Sequence, residues 1–431
     1  MKSIKTIAAA VALMAAGACL AADSVEAPGA AAVGPQASAP RLPPSLGLVE
    51  FLSLVRNYNP ALRAMPLQQG MDQADVRTAS TWANPSVHYG RKPDEKEFGV
   101  EQPLPIFGQI SMRTEAARLA AAAAQADRAA QTQDILSQAA QRFATLLVAQ
   151  EKLAAKQQSM EQLEQAAKVV RGQIELGARS KYDGARVDLQ LAQLQAQLEQ
   201  QESEVLAARS ALAELLAQPH WAPKALGSLL PVTTVKPASE EPSLESMWQS
   251  AQPLLPQLQA AHAKVVQTEQ FTRQQAREAL PTPTVGVSRV RGRTDGSRYG
   301  YNQVGISVEL PLFDRKQGAV AHAQLAHDQA VLEEDAAQQL ARQRLQQALS
   351  QRNLLRKTLQ TYESRGLTQL APLRQMAQDS YRLGQSSILE WLDAMGSVAE
   401  HQQEYLDLTL RVWQAQWELD AARGQLPLIG G

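Results

Sequence analysis

The two halves of this 431-residue chain carry the same helix-breaking residues at a nearly constant spacing. Asn59-Pro60-Ala61-Leu62 answers to Leu255-Pro256-Gln257-Leu258 at an offset of 196, and Asn84-Pro85 answers to Leu280-Pro281 at the same offset. Gln102-Pro103-Leu104-Pro105-Ile106-Phe107-Gly108 then aligns with Val308-Glu309-Leu310-Pro311-Leu312-Phe313-Asp314 at 206, and Leu176-Gly177 with Leu383-Gly384 at 207. Self-similarity at a fixed offset is the mark of an internal duplication. The offset grows only between Pro85 and Pro105, so the segments on either side must be almost equal in length in the two halves.

Pro105 and Gly177 stand 72 positions apart with no proline between them, and Pro311 and Gly384 stand 73 positions apart. A helix of that length would be about 105 to 110 Å long. Helices gain most of their stability from packing, so a run this long must be packed along its whole length. After each glycine comes a return helix. Leu191, Leu194, Leu198, Gln201, Val205, Ala208, Leu212 and Leu215 keep a 4–3 heptad spacing, and Val398, His401, Tyr405, Leu408, Val412, Ala415, Leu419 and Ala422 repeat it 207 residues later. These are coiled-coil seams. Composition agrees: aromatics are only 5%, and Ala and Leu interleaved with Gln supply the apolar fraction. Alanine runs such as Ala120 to Ala124 let helix backbones approach closely.

Each inserted segment reads as a β-hairpin. Val285, Val287, Val304, Ile306, Val308 and Leu310 alternate with smaller or polar residues, around the turn sequence Thr294-Asp295-Gly296-Ser297. Val87-His88-Tyr89 and Phe98-Gly99-Val100 flank Lys92-Pro93-Asp94-Glu95 in a shorter version. Such alternation suits a barrel strand in a membrane, and equally a soluble surface hairpin.

Lys2, Lys5 and the apolar stretch Thr6 to Ala18 read as a signal peptide, with a small-x-small site at Ala16-Gly17-Ala18. Gly17-Ala18-Cys19 also resembles the end of a bacterial lipobox, which would lipidate Cys19; cleavage after Ala21 or Ala22 would discard it. No later stretch has the 18 or so consecutive apolar residues of a spanning helix. The formal net charge is −1, which leaves no cationic excess to neutralise nucleic-acid phosphates. A single cysteine excludes a disulfide framework. The expected organisation is a signal peptide over 1–22, a flexible leader over 23–44, a first repeat over 45–225, an equatorial linker over 226–242, a second repeat over 243–425 and a tail over 426–431. The first repeat is read as a helix, a hairpin over 85–105, a long helix over 108–176 and a return helix over 181–217; the second as a helix, a hairpin over 283–311, a long helix over 315–383 and a return helix over 387–423.

With Val100-Glu101-Gln102-Pro103-Leu104-Pro105-Ile106-Phe107-Gly108 and Val304 to Gly318 at the strand-to-helix corners, this arrangement resembles the TolC-like outer-membrane factors, across residues 45 to 425. The corner sequences and the Asn-Pro sites are similar to the branch serving cobalt–zinc–cadmium and cobalt–nickel efflux. The resemblance implies a mainly α fold with β: a homotrimer whose protomers each give four strands to a 12-stranded outer-membrane barrel, continued by a periplasmic helical tunnel. It implies a passive exit duct for an inner-membrane RND-type pump and a periplasmic adaptor, with divalent metals as cargo and drugs or proteins as the alternative. Tyr381-Arg382-Leu383-Gly384-Gln385-Ser386-Ser387-Ile388-Leu389-Glu390-Trp391-Leu392-Asp393 resembles the family's inner-tip segment. By that resemblance Tyr381 and Asp183 belong to an interprotomer lock, and Glu390 and Asp393 to an acidic ring at the entrance. Ser386 stands where a well-studied member has an arginine. The turns Leu176-Gly177-Ala178 and Leu383-Gly384-Gln385 would meet the adaptor.

Spacing alone puts Glu390 and Asp393 on one helix face, either lining a gate or simply facing solvent. No catalytic constellation, phosphate loop or metal-ligand spacing is present; His322 and His327 are i, i+5, on different helix faces. An enzyme is not expected, nor any cofactor or resident metal. A soluble periplasmic coiled-coil scaffold is the reading of another class.

Overall fold

The computed structural model describes residues 42–227 and 243–425. The signal peptide with Cys19, the leader up to residue 41, the linker from 228 to 242 and the tail over 426–431 lie outside the described residues. Strand β1 (Ser45–Leu46) precedes α1 (Leu48–Tyr58) and α2 (Pro60–Ser80). A hairpin of β2 (Ser86–Lys92) and β3 (Glu95–Pro103) follows, then the 67-residue α3 (Gln109–Glu175) and its return helix α4 (Lys181–Leu215). Strand β4 (Lys224–Ala225) pairs in parallel with β1. The second half runs α5 (Leu244–Ala251), α6 (Pro256–Glu278), β5 (Thr284–Thr294), β6 (Ser297–Ser307), α7 (Gln317–Tyr362), α8 (Thr368–Arg382) and α9 (Ile388–Ala422).

Asn59 shows how the early breaks are made. Its backbone is extended, as a residue before proline must be, and its Oδ1 accepts from the Ala61 and Leu62 amides at 3.0 and 3.2 Å. Its Nδ2 donates to the Leu215 carbonyl at 2.8 Å, so the start of α2 is tied to the end of α4. The orphan carbonyls at the other end of α2 are satisfied by Arg113 of α3, which donates to Ala79 and Thr81. Helix α3 packs mainly on α4 and α6, burying alanines 116, 123, 139, 140, 144, 149 and 167. No helix among the described residues is long and apolar enough to cross a membrane.

The helix expected over 315–383 is not one piece. Between α7 and α8 the chain makes a π-helical turn over Glu363–Leu367. Five residues after this turn the ladder is interrupted again: Pro372 has no amide to donate, and its ring crowds the Thr368 carbonyl. Val308 and Leu310 likewise fall beyond β6, which ends at Ser307 ahead of the Pro311 corner. The end of the expected leader is tied down, since the Pro44 carbonyl accepts from the Lys224 amide at 2.8 Å.

The two hairpins join in a single antiparallel sheet of order β2-β3-β5-β6. Its register places Val87, Val100, Val287 and Val304 side by side across all four strands. That face exposes Val87, Tyr89, Phe98, Val287, Val304 and Ile306, from 37% to 72% each. The opposite face buries Gly99, Ser288 and Val290 and carries His88, Glu97, Glu101 and Gln303. The His88 imidazole lies flat across Gly99, where a Cβ would come within 2.3 Å of the ring.

Helices α4 and α9 end in the same way. In each, the residue after the cap is left-handed and its neighbour's amide reaches back five residues, Gln218 to Ala213 and Gln425 to Asp420. Gly424 takes this role in α9, at φ +71°, but Ala217 takes it in α4, at φ +52°. A side chain in that region is strained by about 1–2 kcal/mol. Ala217→Gly should therefore stabilise the protein by about 0.5–1 kcal/mol, after allowing for the extra freedom of glycine when unfolded. Gly424→Ala should do the reverse more strongly, because its Cβ would lie 2.8 Å from the Leu254 carbonyl oxygen. Thermal midpoints in detergent check both, and a lowered midpoint for Ala217→Gly would contradict the strain assignment.

Candidate functional site

The ends of the long helices farthest from the sheet carry the sequence-selected residues. Both reversals are Schellman closures: Ala178 donates to Gln173 and Gly177 to Ile174, while Gln385 donates to Ser380 and Gly384 to Tyr381. The glycines have φ of +74° and +70°, which only glycine adopts without strain. Leu176 and Leu383, just before them, are 85% and 72% exposed. Two large apolar side chains therefore stand in solvent at the tip of the chain, with nothing in the protomer to cover them.

Each return helix then opens with a capping box. The Asp183 amide donates to Ser180 Oγ at 3.2 Å, and Asp183 Oδ2 accepts from the Ser180 amide at 3.3 Å. Glu390 repeats this 207 residues later: its amide donates to Ser387 Oγ at 3.2 Å and its Oε2 accepts from the Ser387 amide at 2.8 Å. Both carboxylates thus satisfy orphan amides at a helix N-terminus, where negative charge is favoured. Asp393, one turn further along α9, is exposed and takes no part in the cap.

Tyr381 is where the two halves meet. Its ring packs on Trp391 with centroids 5.7 Å apart, and the Arg179 guanidinium from the first turn lies 5.4 Å from the ring centroid. Underneath, Leu163, Ala167 and Val170 of α3, Val187 of α4, and Ile388 and Trp391 of α9 form one apolar cluster. Burial pushes the Tyr381 hydroxyl above its usual pKa; Arg179 opposes this and Asp183 adds to it. The hydroxyl itself is buried with no hydrogen-bond partner among the described residues, and so is the Ser386 hydroxyl that follows the turn. A buried unpaired hydroxyl costs about 1–3 kcal/mol, so each of the two is a polar group that gains from any donor or acceptor brought to it.

Asp183 and Tyr381 are therefore brought together, while Glu390 and Asp393 stand apart from them on the exposed start of α9. Arg179, Trp391, Ser180 and Ser387 escaped the sequence reading. The serines had a signal: Ser-x-x-Asp and Ser-x-x-Glu ahead of apolar residues. Arg179 had none, because its partner is 202 residues away. His401, read as a packed or lumen-facing seam residue, is half exposed, with Nδ1 3.0 Å from the Tyr362 hydroxyl. Among the described residues no group of three or more His, Cys, Asp or Glu could hold a metal ion.

This combination of a four-stranded sheet on long paired helices is shared with outer-membrane channels of known structure. The solved structure of CusC, described for the conformational changes of folding and transmembrane channel formation, matches with a TM-score of 0.72 at 18% identity, over 88% of this chain and 92% of that one. The Campylobacter jejuni CmeC outer membrane channel matches at 0.71 and 14% identity, over 88% and 85%. The sequence matches the family "Outer membrane efflux protein" over residues 95–218 and 248–425, and the chain belongs to that family. It is a transport duct of the outer membrane that extends into the periplasm, and not an enzyme. The cobalt-zinc-cadmium resistance protein CzcC of Cupriavidus metallidurans is 24% identical over 387 residues, covering 88% of this chain and 90% of that protein.

The caps give a local test. Replacing Ser180 or Ser387 by alanine removes one capping acceptor and should cost about 1 kcal/mol of local stability. Hydrogen exchange in the first turns of α4 and α9 should speed up accordingly, with the sheet amides unchanged. Equal protection in the variants would show that the caps do not hold these turns.

Proposed function

We propose that three copies of this chain form the exit duct of a tripartite RND-type efflux system that conducts divalent heavy-metal cations passively to the exterior. The observation that carries the reading is the sheet. It has an apolar exposed face and ends in two unpaired edges, β2 and β6. In lipid an open edge leaves backbone groups that nothing can satisfy, and closure removes it. Pairing β6 of one protomer with β2 of the next, three times over, makes a closed barrel of 12 strands. The long helices continue the lumen into the periplasm, and the pump supplies the energy.

The exposed leucines at the tips suit docking of an adaptor through Leu176-Gly177-Ala178 and Leu383-Gly384-Gln385. The unpartnered Tyr381 and Ser386 hydroxyls suit a lock whose remaining donors and acceptors come from the neighbouring protomer, with Asp183 beside them. Arg179 supplies a cation at this lock, although Ser386 has none. Glu390 and Asp393, repeated by threefold symmetry, would ring the entrance with six carboxylates and favour cations over anions. The metal cargo draws support from that ring and from the resistance named for CzcC. Export past a signal peptide, with Cys19 either lipidated or removed, belongs to the same proposal.

Planar-bilayer recording on protein extracted from the outer membrane tests this directly. A trimer with small, cation-selective currents is expected. Glu390→Gln together with Asp393→Asn should lower cation selectivity severalfold while leaving conductance measurable; glutamine is chosen because it can still cap α9. Unchanged selectivity and unchanged block by multivalent cations would refute the acidic ring. Tyr381→Phe should raise the open fraction if its hydroxyl closes the lock, with no loss of protomer stability, since it loses no bond within the chain. A variant indistinguishable from the parent would remove Tyr381 from the gate.

A further inference from the structure

The apolar face of the sheet changes character along its length. Starting from the four-valine row, the next row towards the hairpin turns holds Tyr89, Phe98, Arg289 and Asn302. The row after that is Arg91, Lys96, Arg291 and Gly300, and Arg293 pairs with Arg298 beyond it. At about 3.4 Å per residue these two basic rows lie about 13 and 20 Å from the valines. Arg91, Lys96, Arg289, Arg291, Arg293 and Arg298 are all exposed. Among the described residues none of the six makes an ion pair with a carboxylate, although Asp94 and Asp295 sit at the nearby turns. Beyond the other end of the same strands Ile106, Phe107, Leu310, Leu312 and Phe313 are exposed, interspersed with the charged Glu309, Asp314, Arg315 and Lys316.

We propose that the turn-side half of this face is a binding surface for the anionic headgroups of outer-leaflet lipids, with Arg91, Lys96, Arg289, Arg291, Arg293 and Arg298 of each protomer reading their phosphates. The inference rests on the barrel reading. Both chain segments enter and leave the sheet from the helical side, so the turns point to the exterior. Cations on a lipid-facing surface are costly within hydrocarbon and are accommodated at the interface, so these rows belong at headgroup depth. Guanidinium groups bind phosphate in bidentate fashion, and unpaired basic side chains at a membrane surface attract anionic lipid. The six cations stay on the lipid side, because strand alternation sends Glu97 and Glu101 to the other face.

The test uses the intact trimer in neutral detergent, supplemented with phosphatidylglycerol, with phosphatidylcholine or with inorganic phosphate. Phosphatidylglycerol should stabilise the parent at a concentration about tenfold below phosphatidylcholine, and free phosphate at equal concentration should have no effect. Arg291→Gln, Arg293→Gln and Arg298→Gln combined should bring the two lipids within about twofold of each other, whereas the Arg→Lys set at the same positions should retain most of the preference. Conductance should survive in both variants. No lipid preference in the parent, full preference in the glutamine variant, or an equal effect from free phosphate would each overturn the proposal. A parent that never inserts into bilayers would overturn the barrel reading and this surface with it; insertion without lipid preference would overturn this surface alone.

Discussion

Every main-chain amide and carbonyl that meets lipid needs a partner, and that requirement organises this molecule. The long helices meet it internally, one residue after another. The sheet cannot meet it alone. Each hairpin supplies two strands, β3 and β5 join the hairpins, and β2 and β6 are left with unpaired edges. A single chain with this sheet is unfinished in a way that a soluble domain of the same size is not. The same incompleteness recurs at the far end, where the Tyr381 and Ser386 hydroxyls are buried without partners and two leucines stand in solvent. The protomer is therefore under-satisfied at both ends of its long axis and well packed between them.

The tip shows how one residue can serve two demands. Asp183 and Glu390 cap their helices, which fixes where the carboxylates sit. A group held in that way is already oriented for whatever approaches the tip. Asp393 has no such tether and is the freer of the pair. The halves differ where the aromatic pair Tyr381 and Trp391 takes the place of Ile174 and Gly184. A Cβ at Gly184 would come within 2.8 Å of Ile174 Cδ1, so the first hairpin closes tightly on the glycine, while the second keeps a bulky, polarisable surface facing Arg179.

Much of this was legible in the sequence, because duplication makes each half a check on the other. Prolines and glycines at matched offsets marked the helix ends and both hairpins, and heptad spacing marked the return helices. Interactions between distant segments were not legible. Nothing local announces that Arg179 will lie over Tyr381, or that Asn59 will hold the end of α4. The break in the second long helix was local and still escaped, since Pro372 lies inside a pattern that otherwise reads as unbroken helix. The π turn is displaced from it, at Glu363–Leu367, ahead of the proline.

That displaced turn has a mechanical consequence. The first long helix is continuous from Gln109 to Glu175, whereas its counterpart is divided by a π turn and carries a proline in its last 15-residue segment. A π turn widens the helix by one residue, and the missing amide of Pro372 removes a main-chain bond one turn later. Bending stiffness in a helix comes from its hydrogen-bond ladder, so compliance is concentrated in α8. That segment ends at Arg382, and so the softest stretch of the second hairpin carries Tyr381 in its last turn. The two hairpins therefore differ in mechanics: the first is stiff along its whole length, and the second bends most easily near its tip.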